Sequence, residues 1–127
     1  MLELLSNLVT LESPSDVPES QGPVLDELRR AFHGVGFRTI RVPGRASGGH
    51  LYARPERRRK GSNRRWQLLL GHCDTVWPLG TLEKMPLVAD GGILKGPGVY
   101  DMKAGLVEMV FALKALKTLD QIGRAHV

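Results

Sequence analysis

The chain has 127 residues, 42% of them hydrophobic and 24% charged, which is enough for one modest domain. No run approaches the roughly 18 apolar residues of a membrane span, and Cys73 is the only cysteine, which excludes an internal disulfide. The net charge of +5 is local, because six Lys and Arg residues lie within positions 57–65 and leave 12 basic against 13 acidic residues elsewhere. The totals therefore indicate one basic segment and not a basic fold.

The chain opens with an amphipathic pattern. Leu2, Leu5 and Leu8 recur at helical spacing, which predicts a helix over residues 1–11. Ser13-Pro14-Ser15 ends this helix, because proline and serine favour a loop. No positively charged segment or cleavage site precedes the pattern, so we expect no secretory signal and a cytoplasmic location.

A second helix is expected to begin near Pro23, which suits a first helical turn, and to end before Gly36. Its apolar stripe consists of Val24, Leu25, Leu28, Ala31, Phe32 and Val35. Two strands follow, at Phe37–Val42 and His50–Arg54, because β-branched and apolar residues are enriched there. We interpret the basic run 56–65 as an exposed loop or hairpin tip.

The most apolar strand is predicted at Trp66–His72. Its three consecutive leucines suit a strand covered on both faces, as in a parallel sheet. A loop over 74–86, a hairpin around Asp90-Gly91-Gly92 and a helix over Met102–Leu119 complete the pattern. This order predicts an incomplete α/β domain, in which helices flank a mixed sheet.

Chemistry-bearing residues follow the predicted central strand. His72 and Asp74 stand at its carboxyl end, where open α/β sheets place their active sites, and their side chains share one side because they are two apart on extended backbone. Asp101 follows a Gly/Pro turn at the start of the last helix, where the helix dipole favours a carboxylate and an N-cap role is also open. Imidazole and carboxylate are usual zinc ligands, and Asp74 could orient the imidazole from behind.

Residues 68–76 and 96–105 resemble the two N-terminal motifs of a family of zinc-dependent amidohydrolases. That family includes glutamate carboxypeptidase, aminoacylase, acetylornithine deacetylase and succinyl-diaminopimelate desuccinylase. The similarity covers residues 2–119, includes Ser13-Pro14-Ser15 and Trp77-Pro78-Leu79-Gly80, and is greatest to the glutamate carboxypeptidase branch. It implies that the chain is the N-terminal portion of a zinc-peptidase catalytic domain.

The resemblance also implies roles for three residues. His72 would bind one zinc, Asp74 would orient it and act in catalysis, and Asp101 would bridge two zinc ions, with cobalt or manganese as alternative metals. The Asp101–Met102 peptide bond would be cis. A general-base Glu beside a Glu ligand, and a second His, lie further along such proteins, and this sequence has no Glu-Glu pair. We therefore expect this chain alone to be catalytically inactive and to bind zinc weakly.

The leading functional hypothesis is hydrolysis of an amide bond next to a C-terminal amino acid, in a small peptide or N-acyl amino acid. One alternative is an N-acyl-amino-acid deacylase of the same family. A second alternative is a nucleic-acid-binding module that uses residues 57–65. A third is a non-catalytic relic of the enzyme fold. A solvated loop is the favoured interpretation of that run, so we expect neither nucleic acid nor a membrane as partner. A homodimer would need the lid domain that the family carries elsewhere.

Four other residues have less distinctive surroundings. Lys103 either pairs with a nearby carboxylate or lies on a solvated face. Cys73 is expected to point into the fold and not to act as a nucleophile. His33 and His50 are expected to be surface or hydrogen-bonded polar residues.

The last six residues, 122–127, resemble one reading frame of a sequencing-library adapter. We predict that they are a non-native tail and that residues 1–121 form the N-terminal part of the metallopeptidase domain.

Overall fold

The structure is a computed structural model that describes residues 1–56 and 67–119. Helices and strands both occur in these residues, so the predicted incomplete α/β class is confirmed. The basic run from residue 57 onward, Trp66 and the predicted tail at 122–127 lie outside the described residues.

The helices are α1 (Leu2–Thr10), α2 (Gln21–Gly34), the short α3 (Thr81–Lys84) and α4 (Ala104–Thr118). The predictions of α1 and α2 are confirmed, because their apolar residues return to one face every three or four positions. The single turn of α3 interrupts the predicted loop 74–86. Helix α4 begins two residues later than predicted, because Asp101 and Met102 have non-helical backbone angles.

Two antiparallel hairpins supply the strands, which are β1 (Phe37–Val42), β2 (His50–Pro55), β3 (Val88–Asp90) and β4 (Ile93–Lys95). All four match the sequence prediction within a residue or two. The second hairpin turns at Gly91 and Gly92, which have φ values of 54° and 79°. Glycine adopts this left-handed conformation without steric cost.

The predicted central strand is not formed in its described part. Residues 67–72 pair with no strand among the described residues, and the side chains of Leu68, Leu69 and Leu70 are 74%, 53% and 78% exposed. The prediction was wrong here because a buried parallel strand needs neighbouring strands on its edges and helices over its faces. Within the described chain, the parallel pairing is confined to a single bridge between Pro14 and Thr75.

The core lies between α1, α2 and α4 and reaches the first residue of β1. Its buried members are Leu8, Val24, Leu28, Phe32, Val35, Phe37, Leu106, Val107 and Val110. Each such burial contributes about 1.5–3 kcal/mol, so this cluster fixes the end of α1 against the start of α4. None of the helices in the described ranges is long and apolar enough to cross a membrane.

Candidate metal site

His72 and Asp101 meet although they are 29 residues apart in the chain. The Nε2 atom of His72 lies 3.1 Å from Oδ1 of Asp101. Two glycines allow the approach: a Cβ on Gly71 would lie 2.7 Å from the side chain of Leu106, and a Cβ on Gly98 would lie 2.6 Å from that of Thr75. A larger residue at either position would therefore require the neighbouring side chain to shift.

Asp74 contacts the other nitrogen of the same imidazole. The Nδ1 atom of His72 lies 3.0 Å from the carbonyl oxygen of Asp74 and 3.4 Å from its Oδ1. Both atoms are acceptors, so a proton on Nδ1 would satisfy them and would leave the lone pair of Nε2 facing Asp101. In that tautomer two lone pairs would face each other at 3.1 Å, and a metal cation between Nε2 and the carboxylate would relieve their repulsion.

This pair fits one edge of a metal site. Two atoms that are each about 2 Å from one zinc at a tetrahedral angle lie about 3.3 Å apart, close to the 3.1 Å between Nε2 and Oδ1. The two side chains are 47% and 75% exposed, so a cation can reach them. Zinc takes four or more ligands, whereas the described ranges contain no group of three or more His, Cys, Asp or Glu residues that could hold an ion. His72 and Asp101 alone would therefore supply only two of the ligands that zinc needs.

Asp101 stands outside the last helix. Its φ and ψ are −115° and 96°, and the N-cap of α4 is Lys103, so the N-cap role considered for Asp101 is wrong. The Asp101–Met102 peptide bond is cis, as predicted. The backbone N–H of Lys103 donates to the carbonyl of Gly98 at 3.1 Å, which closes the turn that carries Asp101.

Lys103 follows neither of the two interpretations drawn from the sequence. It is 1% exposed, and its ammonium group donates to the carbonyls of Leu8 at 2.8 Å and Leu11 at 2.9 Å. Carbonyls at a helix C-terminus lack partners within the helix and carry partial negative charge. Burial lowers the pKa of Lys103 to about 8. The partners lie at the C-terminal end of α1, 95 and 92 residues away in the chain, which is why local sequence gave no sign of them.

Ser13 and Ser15 contact the segment that carries His72 and Asp74, whereas the sequence indicated only a helix end and part of the resemblance for them. The hydroxyl of Ser13 donates to the carbonyl of Cys73 at 2.7 Å. The backbone N–H of Thr75 donates to the carbonyl of Ser13 at 2.9 Å, and the backbone N–H of Ser15 donates to the carbonyl of Thr75 at 2.9 Å. The hydroxyl of Ser15 donates to Oδ2 of Asp74 at 2.6 Å. The segment after α1 therefore holds the segment that carries His72 and Asp74.

Glu12, in the same segment, holds the chain that follows the site. Its carboxylate accepts hydrogen bonds from the backbone N–H groups of Gly80 at 2.7 Å and Leu82 at 2.9 Å. The bonds from Leu82 and Gly80 lower the pKa of Glu12. This contact fixes the first turn of α3.

The remaining candidates behave as expected. Burial raises the pKa of the Cys73 thiol to about 11, so the thiol is protonated near neutral pH, which agrees with the expectation that it does not act as a nucleophile. His33 and His50 are exposed, and Nε2 of His33 is hydrogen-bonded to the hydroxyl of Thr39 at 2.9 Å. Both predictions for these histidines are confirmed.

Comparison with known proteins supports the resemblance drawn from the two motifs. Residues 68–125 match the model of Peptidase family M20/M25/M40. Over 119 residues the chain is 29% identical to carboxypeptidase G2 of Pseudomonas sp. (strain RS-16), a match that covers 92% of this chain and 28% of that protein. Over 105 residues it is 34% identical to succinyl-diaminopimelate desuccinylase of Rhodospirillum rubrum, which covers 81% of this chain and 26% of that protein. The resemblance is confirmed, and the chain spans about a quarter of the length of these relatives.

Proposed function

We propose that this chain is the N-terminal part of a zinc-dependent hydrolase that cleaves an amide bond next to a C-terminal amino acid. The observation that carries the proposal is the 3.1 Å approach of His72 Nε2 to Asp101 Oδ1. The match to the peptidase family model, which includes both residues, supports it. So does the likeness to a carboxypeptidase. The likeness to a desuccinylase favours, as the alternative, a deacylase that acts on N-acyl amino acids.

Each residue has a distinct task in this proposal. His72 would hold zinc through Nε2, and Asp101 would offer two carboxylate oxygens to two ions. Asp74 would keep the proton on Nδ1 of His72, so that Nε2 stays directed at Asp101. When bound, zinc supplies a polarised substrate carbonyl and a water of lowered pKa. The remaining ligands and the general base are proposed to come from residues outside the described ranges.

Zinc binding by the chain itself tests the proposal. We expect weak, measurable binding in competition with a chromophoric chelator. His72→Ala and Asp101→Asn should each lower the affinity by about tenfold or more, because each removes one of two ligands. His33→Ala is the matched control, because His33 is an exposed histidine bonded to Thr39. Unchanged zinc affinity in His72→Ala would contradict the proposed role of His72.

Activity tests the proposal at the level of the complete reading frame. A longer protein that carries this chain should hydrolyse peptides or N-acyl amino acids with a free C-terminal carboxylate. It should lose that activity on chelation and recover it when zinc is added back, and cobalt or manganese are the alternative metals to compare. The 127-residue chain alone should be inactive; hydrolysis by it, abolished in His72→Ala, would contradict the proposal that further ligands and a base are needed.

A further inference from the structure

Ser15 lies far from both site motifs in the sequence, yet its hydroxyl contacts Asp74. The Oγ atom donates to Oδ2 of Asp74 at 2.6 Å across 59 residues of chain. The other oxygen of that carboxylate lies 3.4 Å from Nδ1 of His72. We propose that Ser15 is a positioning residue for the imidazole of His72 and acts through the carboxylate of Asp74. The proposal rests on the proposed role of His72 as a metal ligand.

The backbone on which Ser15 sits is fixed independently of its hydroxyl. Its own N–H donates to the carbonyl of Thr75, and the N–H of Thr75 donates to the carbonyl of Ser13. The carbonyl of Pro14 accepts a bond from the side chain of Gln21 at 3.1 Å. Removing the Ser15 hydroxyl leaves all three bonds in place. The hydroxyl is therefore available to orient Asp74, and within residues 1–56 and 67–119 its other acceptor is the carbonyl of Thr75 at 3.2 Å.

The hydroxyl restricts a carboxylate that is partly open to water. The Asp74 side chain is 36% exposed, so its hydrogen bonds and its covered part together select its rotamer. A bond to an ionised acceptor is stronger than a neutral one, and it holds Oδ2 so that Oδ1 faces the imidazole. Groups that hold the second nitrogen of a metal-binding histidine commonly change metal affinity by 10–100-fold. Ser15 donates its hydrogen bond to such a group, the carboxylate of Asp74.

A matched pair of substitutions isolates the hydroxyl. Ser15→Thr keeps it and Ser15→Val lacks it, while the two side chains have the same shape and the position is exposed. We expect Ser15→Val and Ser15→Ala to weaken zinc binding about tenfold, and Ser15→Thr to stay within about twofold of the unchanged chain. Ser20→Ala is the control, because the hydroxyl of Ser20 bonds the carbonyl of Val17, away from the site.

A second measurement separates positioning from general stability. In ¹⁵N-labelled, metal-free chain, the ring N–H of His72, assigned by its loss in His72→Ala, should be protected in the unchanged chain and in Ser15→Thr. It should exchange faster in Ser15→Val. In an Asp74→Ala background, removing the Ser15 hydroxyl should have no further effect on zinc affinity, because the two changes act on one path.

The outcomes of these tests distinguish the two proposals. Unchanged zinc affinity and an unchanged ring signal in Ser15→Val would overturn the role of Ser15. Additive losses with Asp74→Ala would overturn it too. If the unchanged chain binds no zinc through His72, the proposed function fails, and the ring signal still decides whether Ser15 positions the imidazole.

Discussion

The ammonium group of Lys103 donates a hydrogen bond of 2.8 Å to the carbonyl of Leu8, 95 residues earlier in the chain. Lys103 is two residues beyond Asp101, and Leu8 is near the end of α1, which continues into Ser13 and Ser15. One buried cation therefore joins the segment that carries Asp101 to the segment that holds Asp74. The two halves of the candidate metal site are organised by the same helix end.

Removing this cation should destabilise the fold. Lys103→Met keeps the length of the side chain and leaves the carbonyls of Leu8 and Leu11 without their donor. An unsatisfied buried carbonyl costs about 1–3 kcal/mol, so we expect a loss of that order in the free energy of unfolding, measured in urea. Lys114→Met is the control, because Lys114 is exposed on α4. Equal losses in the two variants would contradict the structural role of Lys103.

Lys103 and Cys73 should make opposite contributions to the pH dependence of stability. Burial lowers the pKa of Lys103 from 10.5 to about 8, so between these values the unfolded chain binds more protons and stability rises with pH. Burial raises the pKa of Cys73 from 9.0 to about 11. Above pH 9 the unfolded chain therefore loses that proton first, and stability falls. We expect a rise from pH 8 to 9 and a plateau above it.

Two variants separate these contributions in metal-free chain. Lys103→Met should abolish the rise between pH 8 and 9, which is on the order of 1 kcal/mol because one pKa unit corresponds to about 1.4 kcal/mol. Cys73→Ser should remove the opposing effect, so that stability continues to rise to about pH 10. Thermal unfolding followed by circular dichroism measures both. A rise that persists in Lys103→Met would show that another group causes it.

Glu12 should control stability in acid. Hydrogen bonds from Leu82 and Gly80 lower its pKa below the ordinary value of 4.5. The stabilisation is present above that value and is lost as the pH falls through the lowered pKa, because the unfolded chain then binds the proton more readily. Glu12→Gln should lower the melting temperature at pH 7 and flatten the decline below pH 4.5. Glu108→Gln, on an exposed position of α4, should leave both unchanged.

The sequence predicted those parts of the fold that depend on neighbours in the chain. Periodic leucines gave α1, and the Asp90-Gly91-Gly92 turn gave the hairpin of β3 and β4. The prediction of a buried strand over residues 67–72 was wrong because such a strand depends on neighbouring strands, which local composition does not report. Such dependence on distant partners is also why tertiary context overrides local propensity.

The same distinction applies to the candidate site. The meeting of His72 with Asp101 was anticipated from two motifs and their resemblance to a family, since no periodicity links positions 29 residues apart. The contacts of Ser15 and Lys103 were not anticipated. Their partners are respectively a carboxylate 59 residues away and backbone carbonyls more than 90 residues away, and a backbone carbonyl has no signature in a sequence.

Gly71 provides a direct test of how closely the site segment packs on α4. A Cβ at this position would lie 2.7 Å from Cδ2 of Leu106 and 3.1 Å from Cε of Met102, both at the ends of side chains that can shift. Overpacking of this kind costs about 1–3 kcal/mol, so Gly71→Ala should destabilise the chain by that amount and weaken zinc binding, because His72 is the next residue.

Gly34→Ala is the matched control: nothing lies within 4 Å of its Cβ. At this helical position alanine is favoured over glycine by up to about 1 kcal/mol. Urea unfolding of the two variants should therefore give shifts of opposite sign, and shifts of the same sign would contradict the close packing of residue 71 against Leu106.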